Sequence, residues 1–180
     1  MDAIVEAALR KWPNVPHCFG WLGLDARGDW YLRDERTQAS GAFPQAKGSR
    51  IERALREFIH RNYAADAAGC WYFQNGPQRV YVELECAPWV WRLMDSSGGL
   101  AIEAHTGHAA QFESAWLDET GRLFLATDLG IGLVHSADME RASRAIERGA
   151  WQINECSAHS LAVRFGHVLS PATWRAMAPP

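Results

Sequence analysis

The chain is short of the features that assign function quickly. Its four cysteines, Cys18, Cys70, Cys86 and Cys156, are widely spaced and form no Cys-x-x-Cys pair. That pattern points away from a disulfide framework or a zinc ribbon and toward reduced thiols. The N-terminus, Met1-Asp2-Ala3-Ile4, lacks the basic segment and apolar run of a secretory signal. No stretch reaches the roughly 20 apolar residues needed to span a bilayer. Positive charge is not in excess, with 18 Lys and Arg against 21 Asp and Glu, a formal net charge of -3. Nucleic-acid binding usually needs a basic face, so it is not expected. There is no Gly-x-Ser-x-Gly elbow, no Cys/His protease signature and no glycine-rich run into Gly-Lys-Ser/Thr. Gly130-Ile131-Gly132 has no following helix to make it a phosphate loop. These absences lead to a cytoplasmic protein with no cofactor, no membrane partner and no nucleic-acid partner.

Aromatic residues are abundant. Nine Trp in 180 residues is a high count, and each indole offers large contact area to a core or a ligand pocket. The clearest strand signal lies at 80–85. Val80, Val82 and Leu84 alternate with Tyr81, Glu83 and Glu85, the period of a strand with one buried face. Glu83 and Glu85 are expected on its solvent face. Asn75-Gly76-Pro77 supplies turn chemistry before it, and Cys70 to Phe73 a partner strand.

Around this hairpin the chain resolves into elements. Residues 2–12 predict an amphipathic helix with Ile4, Val5, Ala8, Leu9 and Trp12 against a sheet, stopped by Pro13. Residues 17–32 predict a hairpin turning at Asp25-Ala26-Arg27-Gly28, and 33–48 a long mobile loop. Residues 49–63 predict a helix opened by a Ser49/Glu52 capping box, with Ile51, Leu55, Phe58, Ile59 and Asn62 inward. Its Arg50, Arg53, Arg56 and Arg61 form a solvated basic face or, on the sharper reading, a face toward an anion. Strands follow at 90–94, 100–103, 114–117 and 123–126, with turns at Asp95-Ser96-Ser97-Gly98-Gly99 and Asp118-Glu119-Thr120-Gly121, and a further strand at 129–135. Residues 138–148 predict a helix with Asp138 as N-cap, Met139, Ala142 and Ile146 packed, and Gly149 at C′. Ser160 to Val168 alternates like a strand, and Ser170-Pro171 opens a last helix.

Hairpins led by Trp21, Trp71, Trp91, Trp116 and, in degenerate form, Trp151 share a form at irregular spacing, so no fixed-period solenoid is implied. The expected fold is α+β: antiparallel β-meander and hairpin sheets with packed helices, in two structurally related lobes. A break near Cys86-Ala87-Pro88 sets the lobes at 1–86 and 87–180.

Gly20 to Trp30 with Gly28-Asp29-Trp30, Ile51-Glu52-Arg53-Ala54-Leu55 with Phe58, and Gly69 to Phe73 followed by Val80 to Glu83 and Ala87-Pro88-Trp89 carry a resemblance. Over residues 17–103 the chain resembles a bacterial family named as domain of unknown function 1285, as a distant relative or a sister family. Two departures stand out. The 33–48 loop is longer than that family's Gly-Ser-Pro link, and Asn75-Gly76-Pro77-Gln78-Arg79 replaces its Thr-Pro-x-Glu-Lys turn. The resemblance implies two related α+β lobes, no established enzymatic activity, and a sensing or signalling role through a bound small molecule.

Two chemistries compete for a site. An aromatic cleft with polar groups at its rim would draw on Trp89 and Trp91, two apart on one strand face, with Arg53, Gln78 and Arg79 supplying the polar contacts. A zinc hydrolase would draw on Glu103, the His105/His108 pair and the Cys156/His159 pair. The first is the leading expectation: a non-enzymatic protein that binds a small molecule or a protein partner, a second copy of itself included, in a regulatory setting.

Overall fold

The computed structural model describes residues 1–177 as two compact units. The first comprises Met1–Asp25, Asp29–Glu85 and the C-terminal segment from Gly166; the second comprises Ala26–Gly28 and Cys86–Phe165. The C-terminal segment therefore returns to the first unit, where the sequence had suggested a second lobe running to residue 180.

The first unit holds α1 (Ala3–Lys11), β1 (Cys18–Leu24), β2 (Trp30–Leu32), α2 (Glu35–Ser40), β3 (Ser49–Arg50), α3 (Arg53–Arg61), β4 (Tyr63–Ala65), β5 (Trp71–Asn75) and β6 (Gln78–Leu84). Its six-stranded sheet has the order β3-β2-β1-β6-β5-β4. Val82 and Leu84 pack with Leu22, Leu24, Trp30, Ile51, Ile59 and Phe73 on one face, as the alternation of β6 requires, with Val80 partly buried beside them. The other face is covered too. Tyr81 is buried with Cys70 and Tyr72, and Glu83 is only 5% exposed, so it is not the solvent-facing residue expected. The reason is position: β6 is a central strand with β1 alongside it in parallel, and such strands are buried on both faces.

The second unit holds β7 (Trp89–Ser96), β8 (Gly99–Ala104), β9 (Ala109–Ala110), β10 (Phe112–Leu117), β11 (Leu123–Thr127), β12 (Gly130–Val134), α4 (Met139–Glu147), β13 (Ile153–Glu155) and α5 (Ala158–Arg164). Its sheet has the order β13-β10-β11-β12-β7-β8-β9. The last helix, α6 (Pro171–Met177), belongs to the first unit.

The two sheets repeat one topology. In each, a three-stranded antiparallel meander runs outward from the centre (β1-β2-β3; β7-β8-β9). A second meander runs back inward (β4-β5-β6; β10-β11-β12), and the first and last strands pair in parallel at the middle. Equivalent hairpins share turn chemistry. In the β4–β5 turn, the Asp66 Oδ1 accepts the N–H groups of Ala68 and Cys70, both at 3.0 Å, and Gly69 has φ +80°. In the β10–β11 turn, Asp118 Oδ1 accepts those of Thr120 and Arg122, both at 2.9 Å, and Gly121 has φ +78°. Glycine is required at the fourth position because an L side chain resists positive φ. The repeat unit is thus six strands, not the Trp-led hairpin: Trp21 and Trp91 sit on equivalent strands, but Trp71 and Trp116 do not. The sheets are mixed rather than purely antiparallel, with a third parallel pair between β10 and β13.

Several elements depart from the sequence reading. Ser49 and Arg50 extend the sheet as β3, and Ile51 N–H bonds the Trp30 carbonyl at 2.8 Å. α3 therefore starts at Arg53, Glu52 makes no side-chain cap bond, and Leu55 is exposed. Of the α1 stripe only Val5 is buried, while Ile4 and Trp12 are exposed. The 33–48 segment is built around Arg33, whose Nε bonds the Ala46 carbonyl and whose other nitrogens bond those of Gly20 and Gly41. It contains α2, capped by Asp34 onto Thr37 N–H. Residues 158–164 are helix, not strand. Leu161 and Phe165 are four apart, which places both on one helical face, and Ser157 caps the start.

Candidate functional site

α4 and its C-cap carry three arginines of the second unit. Its small residues Ala142 and Ala145 are buried, which leaves Arg141, Arg144 and Arg148 at spacings of three and seven along one side. The helix start is anchored by Asp138, which is only 1% exposed. One carboxylate oxygen accepts from Arg92 Nε at 2.6 Å and the Leu93 N–H at 3.2 Å; the other accepts from the Arg141 guanidinium at 3.1 Å. Burial pushes this carboxyl up, but its hydrogen bonds to Arg92 and Leu93 and the charges of Arg92 and Arg141 outweigh burial and hold it below its ordinary value of 3.8. Asp138 stands at the N-cap position, as expected, but its side chain makes no cap bond and ties α4 to β7. The helix ends as the sequence foretells, at Gly149 with φ +72°. The chain then doubles back, with Ala150 and Trp151 both bonding the Ala145 carbonyl. The Trp151 ring stacks on Phe112 at 5.1 Å.

This arrangement encloses a cavity of about 260 Å³ between α4, Trp151 and the β7–β8 hairpin. Arg141, Arg144 and Arg148 line one side, and Asp95, Ser96 and Gly99 the other. Arg141 is balanced by Asp138 and, at 3.4 Å, by Asp95. Arg144 and Arg148 have no carboxylate partner among the described residues. Basic residues in a last turn also suit the helix dipole, but that effect does not require two guanidiniums to border one cavity. Planar guanidinium forks suit a carboxylate or phosphate group. The lining offers cations, one carboxylate and one hydroxyl, which is equipment for holding an anion.

The residues singled out from the sequence are distributed differently. Arg53 is spent on Glu57 one helical turn away, at 2.7 Å, with 83% of its side chain exposed. Arg61 is likewise paired, with Asp2, and Arg50, on β3, with Asp29; of the four arginines expected to face an anion only Arg56 has no carboxylate partner among the described residues, so α3 presents no free stripe. Gln78 bonds the Pro16 carbonyl at 2.8 Å, and Arg79 lies 4.4 Å over the Tyr72 ring, both in the first unit. Trp89 and Trp91 are core residues of the second unit, 7% and 0% exposed, stacked on each other. Their indole N–H groups bond the Leu129 and Leu125 carbonyls, each at 2.9 Å. Neither lines the cavity. Of the five, Trp89 and Trp91 meet in the second unit, and Gln78 and Arg79 are successive residues of β6 in the first.

The metal-type residues stay apart. Val90 N–H donates to His105 Nδ1 at 3.2 Å, and His108 Nδ1 meets the Thr106 hydroxyl at 2.8 Å. Glu103 pairs across the strands with Arg92, Cys156 is partly buried beside the second unit's core, and His159 is exposed on α5. Among the described residues no three His, Cys, Asp or Glu side chains gather as a metal site. No described helix is long and apolar enough to cross a membrane.

A family model described as protein of unknown function (DUF2946) matches residues 1–176, and the chain belongs to that family. Among solved structures, the crystal structure of a DUF1285 family protein from Shewanella baltica is similar. It is 13% identical and covers 69% of this chain and 91% of its own, with a TM-score of 0.49. No curated protein matches.

Proposed function

We propose that the second unit binds a small molecule bearing a carboxylate or phosphate group, without turning it over. The observation that carries this reading is a cavity of about 260 Å³ bordered by two guanidiniums, Arg144 and Arg148, that have no carboxylate partner among the described residues. Its size lies just under the range of about 300–1,000 Å³ common for drug-sized ligands, so a small metabolite is the natural occupant. The ligand's anionic group meets Arg144 and Arg148, while its remaining atoms rest against Trp151 and Leu100. A molecule held at once by α4 and by the β7–β8 hairpin couples its presence to the seat of a helix, and this supports a regulatory role.

Calorimetric titration with citrate and with phenyl phosphate tests the reading. A hydrogen bond to a charged group contributes about 1.5–3 kcal/mol, and the exposure of these arginines places them at the low end. Arg144→Gln or Arg148→Gln should weaken binding about tenfold each. Added salt should weaken the native protein's affinity, and Arg53→Gln should leave it unchanged. Failure of the native protein to bind either probe, or equal binding by the Arg144→Gln/Arg148→Gln double variant, would overturn the proposal.

A further inference from the structure

The first unit carries a second concentration of positive charge, on the sheet face away from its main core. Three rings form a platform there. Phe19 stacks on Tyr81 at 4.4 Å, and Tyr72 meets Tyr81 edge-on at 5.8 Å. A guanidinium lies over two of the rings, Arg79 4.4 Å over Tyr72 and Arg175, from α6, 4.8 Å over Phe19, and the charges of both act on His17. His17 approaches the Tyr81 edge at 5.9 Å. The rings hold the two guanidiniums in place but do not neutralise them. Neither arginine makes an ion pair among the described residues.

The acidic group facing this cluster is Asp66, and its oxygens are already engaged by the Ala68 and Cys70 N–H groups and the Tyr81 hydroxyl. Burial and the charges of Arg79 and Arg175 hold His17 below its ordinary value of 6.5, against the opposing pull of Asp66. Three groups able to carry positive charge thus face one occupied carboxylate, on a chain whose formal net charge is -3.

We propose that His17, Arg79 and Arg175 form an oxyanion site on the first unit, for a sulfate, phosphate or carboxylate group, and that the site takes up a proton on His17 as it fills. An oxyanion among the three replaces the repulsion His17 feels from both arginines with an attraction to the bound charge. The imidazolium then becomes the favoured form, and binding is tighter in mild acid than in mild base. This site is independent of the cavity on α4.

The test uses the Arg144→Gln/Arg148→Gln chain, so that the cavity cannot contribute. The His17 ring is followed by NMR through a pH titration, with and without sodium sulfate and, separately, sodium acetate, at ionic strength held constant with chloride. Neither anion titrates appreciably between pH 6 and 8, so a proton taken up there belongs to the protein. Binding of sulfate alone would identify a tetrahedral-anion site, and binding of both a general oxyanion site. The expected result is a His17 midpoint that rises on adding anion. Anion affinity should fall about tenfold in Arg175→Gln and again in Arg79→Gln. Arg175 is exposed on α6, and thermal unfolding checks that its variant stays folded. In His17→Gln, weak binding should persist without pH dependence. The proposal is overturned if the His17 midpoint is the same with both anions as with chloride, or if the anion concentration that moves it is no higher in the folded Arg175→Gln variant than in the parent chain.

Discussion

Asp138→Ala removes the carboxylate that joins α4 to β7 and so tests how the candidate cavity is built. The side chain accepts three hydrogen bonds, from Arg92, the Leu93 N–H and Arg141. The Leu93 donor is the costly loss. It is buried, and an unsatisfied buried donor costs about 1–3 kcal/mol. Arg92 and Arg141 keep 49% and 38% of their side chains exposed, so water replaces much of what they lose. Together these terms give a destabilisation of about 2–3 kcal/mol at neutral pH. The pH dependence follows from the lowered carboxyl. A group whose folded value lies below 3.8 contributes stability that is present above that value and lost as pH falls through the folded one. The gap between wild type and Asp138→Ala should therefore hold from pH 7 to about 4 and close in stronger acid. Urea unfolding across that range measures the gap, and amide exchange at Leu93 localises it, because that N–H should lose protection in the variant. A gap below about 0.5 kcal/mol at pH 7 would refute the reasoning, as would one that is no smaller in strong acid.

Glu83 titrates in the opposite sense. Burial raises it above 4.5 despite the Ser170 and Ala172 hydrogen bonds and the charge of Arg33, so the folded chain holds that proton more tightly than the unfolded one. Its contribution to stability is then greatest below about pH 4.5 and declines as pH rises through the folded value; Glu83→Gln should flatten this component in urea unfolding between pH 4 and 7. Arg33→Ala should release the 33–48 segment, since three carbonyls lose their donor. A loss of about 3 kcal/mol is expected, and limited proteolysis should cut first within that segment. Gly132→Ala should cost several kcal/mol in thermal unfolding, because its Cβ would stand 2.6 Å from the Trp89 Cβ and press on the buried Trp91 ring.

How much of this was legible beforehand can be judged residue by residue. The β6 alternation, the Gly-bearing turns, the Gly149 stop and the Ser170-Pro171 start are local signals, and each appears where its chemistry requires. Signals that admit two readings failed. Leu161, Val163 and Phe165 alternate, but Leu161 and Phe165 also stand four apart, and a Ser157 cap decided for helix. Ser49 and Glu52 spell a capping box, yet the neighbouring β2 offered Ser49 and Arg50 a ladder to join. The candidate cavity left a trace that could have been followed. Arg141, Arg144 and Arg148 share one side of a predicted helix that ends in Gly149-Ala150-Trp151. Nothing local distinguishes that row from the row on α3, whose Arg53 and Arg61 found carboxylates.

By itself, then, the amino-acid order determined the α+β class, two related halves, most strand positions and the turns that join them. These follow from side-chain periodicity and from the φ that glycine and proline permit, properties of a few adjacent residues. Only the tertiary structure decided that the repeat is six strands closed by a parallel pair, that Glu83, Trp89 and Trp91 are interior, and which arginines remain unpaired. Those outcomes depend on partners dozens of residues away. Pairing and burial are contests between distant groups, and a side chain's own neighbours in sequence do not record who wins.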